Sequence, residues 1–482
     1  MLLTDLHSFR WVSHQLHTLR GRIPSQTHDI QEEVGTPLDE TFKKALHDIP
    51  EEKSQYALRL FKCLVAAIRP LGLKELLDVF STGLGTNVAH NEEAVRYTCP
   101  ALVSIGEKDP KIVQFSQPLK LVTEFLTSSR LRTSNHNTIK RYHFSLEDAN
   151  ATLSRVCISV LLRFDATADK RLLESSPLAL YAAQHWVDHT QFGKVASENQ
   201  DIMTTLLDRD KSHLDAWLWM HDIDKGQSRA MDDLTPKPPR RSATPLYYAA
   251  LCGFGELVNY LIDMNPEDVE DGHAGYHGTP LHAASYKGHL DAVRALLDRG
   301  AKVDATFGNK TPLHSAFYGG QLETMRLLLE KDANVDAEGP LGNTVLHHAS
   351  LDGQLEFVDL LLEHNADVDA KNKNGWTPLH RAALRGRVEV AKRLLEKEAE
   401  VDTPSQNNNT PLHIASIAGK LQVVDLLLKH KANVDARGEH GWNPLEAARE
   451  NRHDKIVQRL LPISSNEFRR PVFDRLRQLY PL

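Results

Sequence analysis

Seven copies of one short phrase divide the second half of this chain. They are TPLYYAA at Thr244, TPLHAAS at Thr279, TPLHSAF at Thr311, TVLHHAS at Thr344, TPLHRAA at Thr377, TPLHIAS at Thr410 and NPLEAAR at Asn443. The first interval is 35 residues and the other five are 32 or 33. A unit of that size is too small to bury a core by itself, so the period predicts units that stack against one another. The pattern argues for binding rather than catalysis.

The unit beginning at Thr377 shows why each phrase makes helices. Thr377 offers a side-chain oxygen to the free backbone N–H groups of a helix start, and Pro378 occupies the first helical position, where its missing N–H costs nothing. Leu379, Ala382 and Ala383 give a narrow apolar face, and Gly386 ends the inner helix. Val388, Val390, Ala391, Leu394 and Leu395 then share one face of a second, outer helix. Each unit closes with a phrase read as extended, Val303-Asp304-Ala305, Val335-Asp336-Ala337, Val368-Asp369-Ala370, Val401-Asp402-Thr403 or Val434-Asp435-Ala436, followed by a hairpin-like turn. Asn309, Gly342, Gly375, Asn408 and Gly441 stand two residues before the next motif, and these types enter the left-handed backbone region cheaply. His277 breaks that pattern.

Motif, period and helix pattern together resemble the ankyrin repeat over residues 240–462. The family's usual glycine after the outer helix is present as Gly300, whereas later units carry Asp332, Asn365, Glu398 and Lys431. The resemblance implies that His282, His314, His347, His380 and His413 link neighbouring turns by hydrogen bonds. Lying one repeat apart, they do not converge on a metal ion, and the adjacent pair His347-His348 points in divergent directions. The resemblance also implies that ligands are held by the hairpin tips and the exposed face of the inner helices. Seven residues after each motif start, that face reads Leu251, Tyr286, Tyr318, Leu351, Leu384 and Ile417, an apolar stripe suited to a protein partner. Trp376 and Trp442 would flank it as anchors, and Lys287, Asp352 and Arg385 beside it suit selectivity. The competing expectation is that the chain's own amino-terminal half or its Arg469–Leu482 tail covers the stripe.

Residues 1–235 lack the phrase and show helical periodicity. Gln55–Ile68 and Leu73–Phe80 are expected helices with the loop Arg69-Pro70-Leu71-Gly72 between them, and a strand pair is expected around Val103 and Lys111–Phe115. Three helices followed by a small hairpin is a winged-helix order. Phrases such as FRWVSHQLHTLR at 9–20, YALRLFKCLVAAIRPLGLKELLDVF at 56–80, PLALYAAQHWVDHTQF at 177–192 and HLDAWLWMHDID at 213–224 resemble the segment that follows the nucleotide-binding core in fungal NACHT-ankyrin proteins. Those belong to the STAND class of signal-transduction ATPases. The chain contains no GxxxxGK[ST] string to cradle phosphates, and Gly83-Leu84-Gly85-Thr86 is a lone GxG. It therefore reads as a core-less version of its relatives or a truncated gene model.

The expected architecture is mainly α, a helical, winged-helix-like module followed by an ankyrin-repeat α-solenoid. Its parts are a helical remnant (1–36), a winged-helix-like domain (37–132), a helical connecting domain (133–224), a linker (225–243), seven repeats (244–462) and a capping helix (463–482). Basic and acidic residues number 27 and 31 in residues 1–235 and 30 and 33 in residues 236–482, so neither half has the basic excess that nucleic acid requires. The helix around Leu73-Lys74-Glu75-Leu76-Leu77-Asp78 is acidic and apolar, unlike a DNA recognition helix. Four cysteines without a CxxC pair read as buried thiols, and no secretory signal or membrane-length apolar run is present, so a cytoplasmic protein is expected. No nucleophile elbow or HExxH appears. The expectation is a non-enzymatic protein-protein interaction scaffold or sensor, without cofactor, metal or small-molecule substrate. The alternative is the sensor half of a NACHT-type receptor whose ATPase core lies outside this chain.

Overall fold

Helices dominate both halves, as the apolar spacing requires. The computed structural model describes residues 37–81, 92–108, 110–134, 136–224, 227–228, 234, 243–271 and 275–465. The expected helical remnant (1–36), most of the linker, Gly83–Thr86 and the terminal helix through Val472, Phe473, Leu476 and Leu479 lie outside the described residues. The chain divides into two units, Met1–Arg241 and Ser242–Leu482.

In the first unit, the helix Leu146–Leu161 packs against Ser54–Ala66 and against Ala179–Thr190. It starts on a capping box in which Ser145 and Asp148 satisfy each other's backbone N–H groups. Three short antiparallel strands, β1 (Leu71–Gly72), β2 (Val103–Ile105) and β3 (Ile112–Phe115), form a sheet in the order β1-β3-β2, with Val103 opposite Phe115 and Leu71 opposite Val113. Val113 and Phe115 are buried while Gln114 between them is exposed, the period of a half-covered strand. β1 corrects the reading of residues 69–72 as loop: two residues gain a ladder partner in β3 that lies forty residues away in sequence, beyond any local signal.

Two clusters of buried polar groups in this unit are paired across helices. The Ile68 backbone N–H donates to the Tyr181 hydroxyl (3.1 Å), which meets His189 Nε2 (2.9 Å), and His189 Nδ1 meets Asn150 Oδ1 (2.8 Å). Asp78, on the helix Leu73–Ser81, accepts from Arg163 Nη1 (2.7 Å), Ser176 Oγ (2.9 Å) and the Leu178 backbone N–H (3.3 Å). One carboxylate thus joins three segments distant in sequence.

Among the described residues, the second unit contains seven helix pairs. Inner helices run Pro245–Cys252, Pro280–Lys287, Pro312–Tyr318, Val345–Asp352, Pro378–Arg385, Pro411–Ile417 and Pro444–Glu450, each followed by an outer helix, from Gly255–Met264 to Asp454–Leu460. Inner helices pack on inner helices and outer on outer, and the buried leucines and alanines of the motif fill the space between. The phrase read as extended is a turn instead. Ala305, Ala337, Ala370 and Ala436 donate their N–H groups back to the carbonyls of Lys302, Asn334, Asp367 and Asn433. Its aspartate has a long-range task that overrides the strand preference of valine. Asp304, Asp336, Asp369, Asp402 and Asp435 accept the backbone N–H of Asn334, Asp367, Glu400, Asn433 and Ser465 in the following unit, at 2.9–3.1 Å.

A second ladder runs through the motif histidines. Nε2 of His282, His314, His347, His380 and His413 lies 3.0, 3.4, 2.9, 3.0 and 3.0 Å from the backbone carbonyls of Lys310, Asn343, Trp376, Asn409 and Trp442. Each acceptor is the residue just before the next motif. A carbonyl only accepts, so Nε2 carries the proton and Nδ1 is the acceptor. Nδ1 in turn receives the motif threonine, whose Oγ1 stands 2.8–3.0 Å away in all five units and whose N–H donates to it in four. Burial holds these imidazoles neutral: His282, His347 and His380 are pushed down to about 4, and His314 and His413 are lowered for the same reason.

Left-handed backbone marks the turns. Asn309, Gly342, Gly375, Asn408 and Gly441 have φ of 59°, 70°, 71°, 58° and 75°. In the second unit, where His277 stands, Gly278 takes that conformation one place later, at 107°. Gly308-Asn309 forms a two-residue hairpin turn in which Phe307 and Lys310 exchange both backbone hydrogen bonds. At the outer-helix ends, Gly300 has φ 88°, and Asp332, Asn365, Glu398 and Lys431 follow it at 62°, 60°, 65° and 63°.

Three outcomes are expected. Glu398→Gly and Lys431→Gly each relieve a side chain held at positive φ and raise stability by about 1 kcal/mol, read as a higher melting temperature; a fall in either would contradict the account of the cap. Asp78→Ala leaves the Ser176 hydroxyl and the Leu178 N–H without their acceptor and lowers the free energy of unfolding by about 2 kcal/mol in urea titration, whereas a loss below about 0.5 kcal/mol would show that the carboxylate is incidental. The third concerns pH. The histidines' folded values lie below the unfolded value of 6.5, so their contribution is fully present above pH 6.5 and is lost as pH falls toward 4. Each fully suppressed histidine steepens the slope by about 1.4 kcal/mol per pH unit, and unfolding free energies that stay flat from about pH 6.5 to 5 would sink the neutral ladder.

Candidate functional site

The inner helices present the place seven residues after the motif start to the outside, and in two units, at His348 and Arg381, the place four after it as well, because residues three apart share a helix face. Tyr286, Leu351, Leu384 and Ile417 at the seventh place are half-buried, and Tyr318 is 39% exposed. Leu251 differs. It is 2% exposed, because every residue of its helix Pro245–Cys252 is buried, as befits a helix apolar on all sides. The stripe therefore runs from the second unit to the sixth, and Leu251 belongs to the core.

The fourth place, which the seventh-place stripe passes over, carries His348 and Arg381. The Tyr318 hydroxyl is 3.1 Å from His348 Nε2, and Lys310 Nζ lies 5.0 Å from the centre of the Tyr318 ring. Lys310 and Arg381 both act on His348, which burial and its cationic and imidazole neighbours push down to about 4. The Arg381 guanidinium sits 5.2 Å over the Trp376 ring, and its Nη2 donates to Asn343 Oδ1 (2.9 Å), which also accepts from Asn372 Nδ2 (2.8 Å). The signal that finds these residues is the i, i+3 partnership of 348 with 351 and of 381 with 384.

Of the flanking tryptophans, Trp376 is half-buried beneath Arg381, and Trp442 is 36% exposed with its ring 5.1 Å from that of His440. Both give their backbone carbonyls to the histidine ladder. Lys287, Asp352 and Arg385 are exposed at the eighth place, with Lys287 Nζ 6.0 Å from the Tyr286 ring. At the next hairpin tip Leu341 stands 64% exposed at φ 61°, a conformation a bulky residue rarely adopts.

The opposite face is arranged differently. Cations at the outer helices of the second, third, fifth and seventh units pair with an aspartate one unit back: Arg299 with Asp263, Lys331 with Asp298 (2.9 Å), Arg393 with Asp359 (3.1 Å) and Arg459 with Asp425 (2.6 Å). Among the described residues, no group of three or more histidine, cysteine, aspartate or glutamate side chains is placed to hold a metal ion. No helix among them is long and apolar enough to cross a membrane. All four cysteines are buried and none lies in a disulfide; burial pushes Cys63 up to about 12 and Cys99 to about 11.

Comparison with known proteins agrees with this geometry. The family described as ankyrin repeats (3 copies) matches residues 194–307, 246–339, 313–405 and 399–469. The azaphilone pigments biosynthesis cluster protein L of Monascus ruber is 26% identical over 292 residues, covering 55% of this chain and 60% of that protein. The chain thus spans less than two thirds of that relative's length. Alpha-latrocrustotoxin-Lt1a of Latrodectus tredecimguttatus is 36% identical over 70 residues, 14% of this chain and 5% of the toxin. With the motif, the stacked helix pairs, the histidine ladder and a family match over more than half its length, this chain belongs to the ankyrin-repeat family.

Proposed function

We propose that this chain is a non-enzymatic interaction protein that holds a protein ligand on the inner-helix face of its repeats and serves as a scaffold or sensor. The observation that carries the reading is the run of Tyr286, Tyr318, Leu351, Leu384 and Ile417, side chains at one register position of five consecutive units that remain partly open to solvent. Packing of the stack consumes the motif's leucines and alanines and leaves these five over. Membership in a family of interaction repeats supports the same reading.

The helical unit ahead of the repeats supports a second reading, a sensor half belonging to a NACHT-type signalling receptor, on the resemblance of residues 56–80, 177–192 and 213–224. A transcript reading in frame through an upstream GxxxxGK[ST]-coding segment would support that reading, and a transcript that starts at Met1 would remove it.

The main reading is tested by affinity capture with the full chain from an extract of the source cells, followed by quantitative mass spectrometry. Tyr318→Ala/Leu384→Ala is expected to reduce recovery of a specific partner about tenfold or more, while Arg326→Ala on an outer helix leaves it unchanged. Equal recovery by all three proteins would end the inner-face assignment.

A further inference from the structure

The two faces of the repeat stack treat their charges in opposite ways. Along the outer helices, Arg299, Lys331, Arg393 and Arg459 each have an aspartate of the preceding unit within ion-pair distance, and Arg326 and Lys392 have a glutamate of their own helix. On the inner face of units two to five, the fourth, seventh and eighth places carry Lys287, Arg381 and Arg385 against one carboxylate, Asp352. Lys310 adds a fourth cation through its position over Tyr318. None of these four cations has a carboxylate partner among the described residues.

Arg381 is the sharpest case. It is half-buried, and desolvation holds its guanidinium below the usual arginine range. Its contacts are neutral: an amide oxygen at Nη2 and an indole face. Its Nε is buried and has no hydrogen-bond partner. A half-buried cation with no counter-charge is costly in the unliganded protein, and an anionic oxygen beside the guanidinium is the group that would offset it.

We infer that the occupant of this face is an acidic peptide segment, its carboxylates meeting Lys310 and Arg381 and its apolar side chains lying on Tyr318 and Leu384. The inference rests on the interaction role proposed above and adds the partner's chemistry. Apolar side chains alternating with the cations favour a peptide over a phosphate polymer, which has no apolar groups to place there. The chain's own tail is a poor occupant on charge, since residues 466–482 carry four arginines against Glu467 and Asp474. A partner bearing the same sign as the face would be repelled.

The test is a random peptide library displayed on phage and panned on the full-length protein, with recovered sequences resynthesised for anisotropy titrations. The expected result is enrichment of acidic sequences with interspersed apolar residues. Their affinity should fall about tenfold or more in Lys310→Glu/Arg381→Glu and weaken as salt is raised, with Tyr318→Ala/Leu384→Ala weakening the same peptides. Neutral or basic peptides that depend on Tyr318 and Leu384 would overturn the acidic assignment and leave the protein-binding face standing. Peptides indifferent to both double variants, or no enrichment at all, would overturn the face together with the inference. Inorganic polyphosphate that binds as tightly as the acidic peptides and displaces them would overturn it in favour of phosphate recognition.

Discussion

One imidazole in each of the five middle units, held in a single tautomer, is the constraint on which the stack depends. Its Nδ1 takes the threonine that begins its own inner helix, and its Nε2–H reaches the carbonyl just ahead of the next one. The link fixes both the spacing and the rotation of adjacent units, because a ring nitrogen and a carbonyl meet only within a narrow range of distance and direction. It also explains why the residue ahead of each motif is so variable. Lys310, Asn343, Trp376, Asn409 and Trp442 contribute a backbone carbonyl to the fold, which leaves the side chains of Lys310, Trp376 and Trp442 free to face outward while those of Asn343 and Asn409 are buried and bonded within the stack. Lys310 over Tyr318 and Trp376 under Arg381 show that freedom in use.

The aspartate ladder at the other edge works by the same logic with the opposite polarity, a carboxylate in one unit accepting a backbone N–H in the next. Between the two ladders lies the apolar packing of inner and outer helices, which supplies most of the cohesion. The ion pairs along the outer helices are exposed and contribute little energy individually. Their effect is to neutralise that surface, so the unpaired cations of the inner face stand out against it.

Much of this architecture was legible in the sequence, because most of it is decided locally. The threonine-proline helix start, the positive-φ positions at Asn309 and Gly375, and the strained ends at Glu398 and Lys431 all follow from what a backbone permits at one residue. What escaped was decided by partners elsewhere. The Val-Asp-Ala phrase reads as extended from its valine, yet its aspartate is recruited by the following unit and the segment turns. Leu251 occupies the same register place as Tyr318, but only the composition of its whole helix reveals that it is covered. Arg381 and His348 were missed because a stripe counted at one place per unit ignores the neighbour three residues earlier on the same face. In the first unit, β1 is too short to announce itself, and Asp78 is an ordinary acidic residue in an amphipathic helix until Arg163 and Ser176 are brought to it.

The histidine ladder has a genetic corollary. Each of its bonds joins atoms 28 or 29 residues apart within one period, so gain or loss of an entire period leaves every donor facing an acceptor of the same kind. The 28-residue span from His282 keeps its bond at 3.0 Å, so a one-residue change in the hairpin ahead of the acceptor is absorbed, whereas one inside a helix turns the residues beyond it about 100° off the packed face. Descendants of this gene should accordingly differ from it by whole modules or at the hairpin tips more readily than by insertions within a helix, while the joints between modules stay the same.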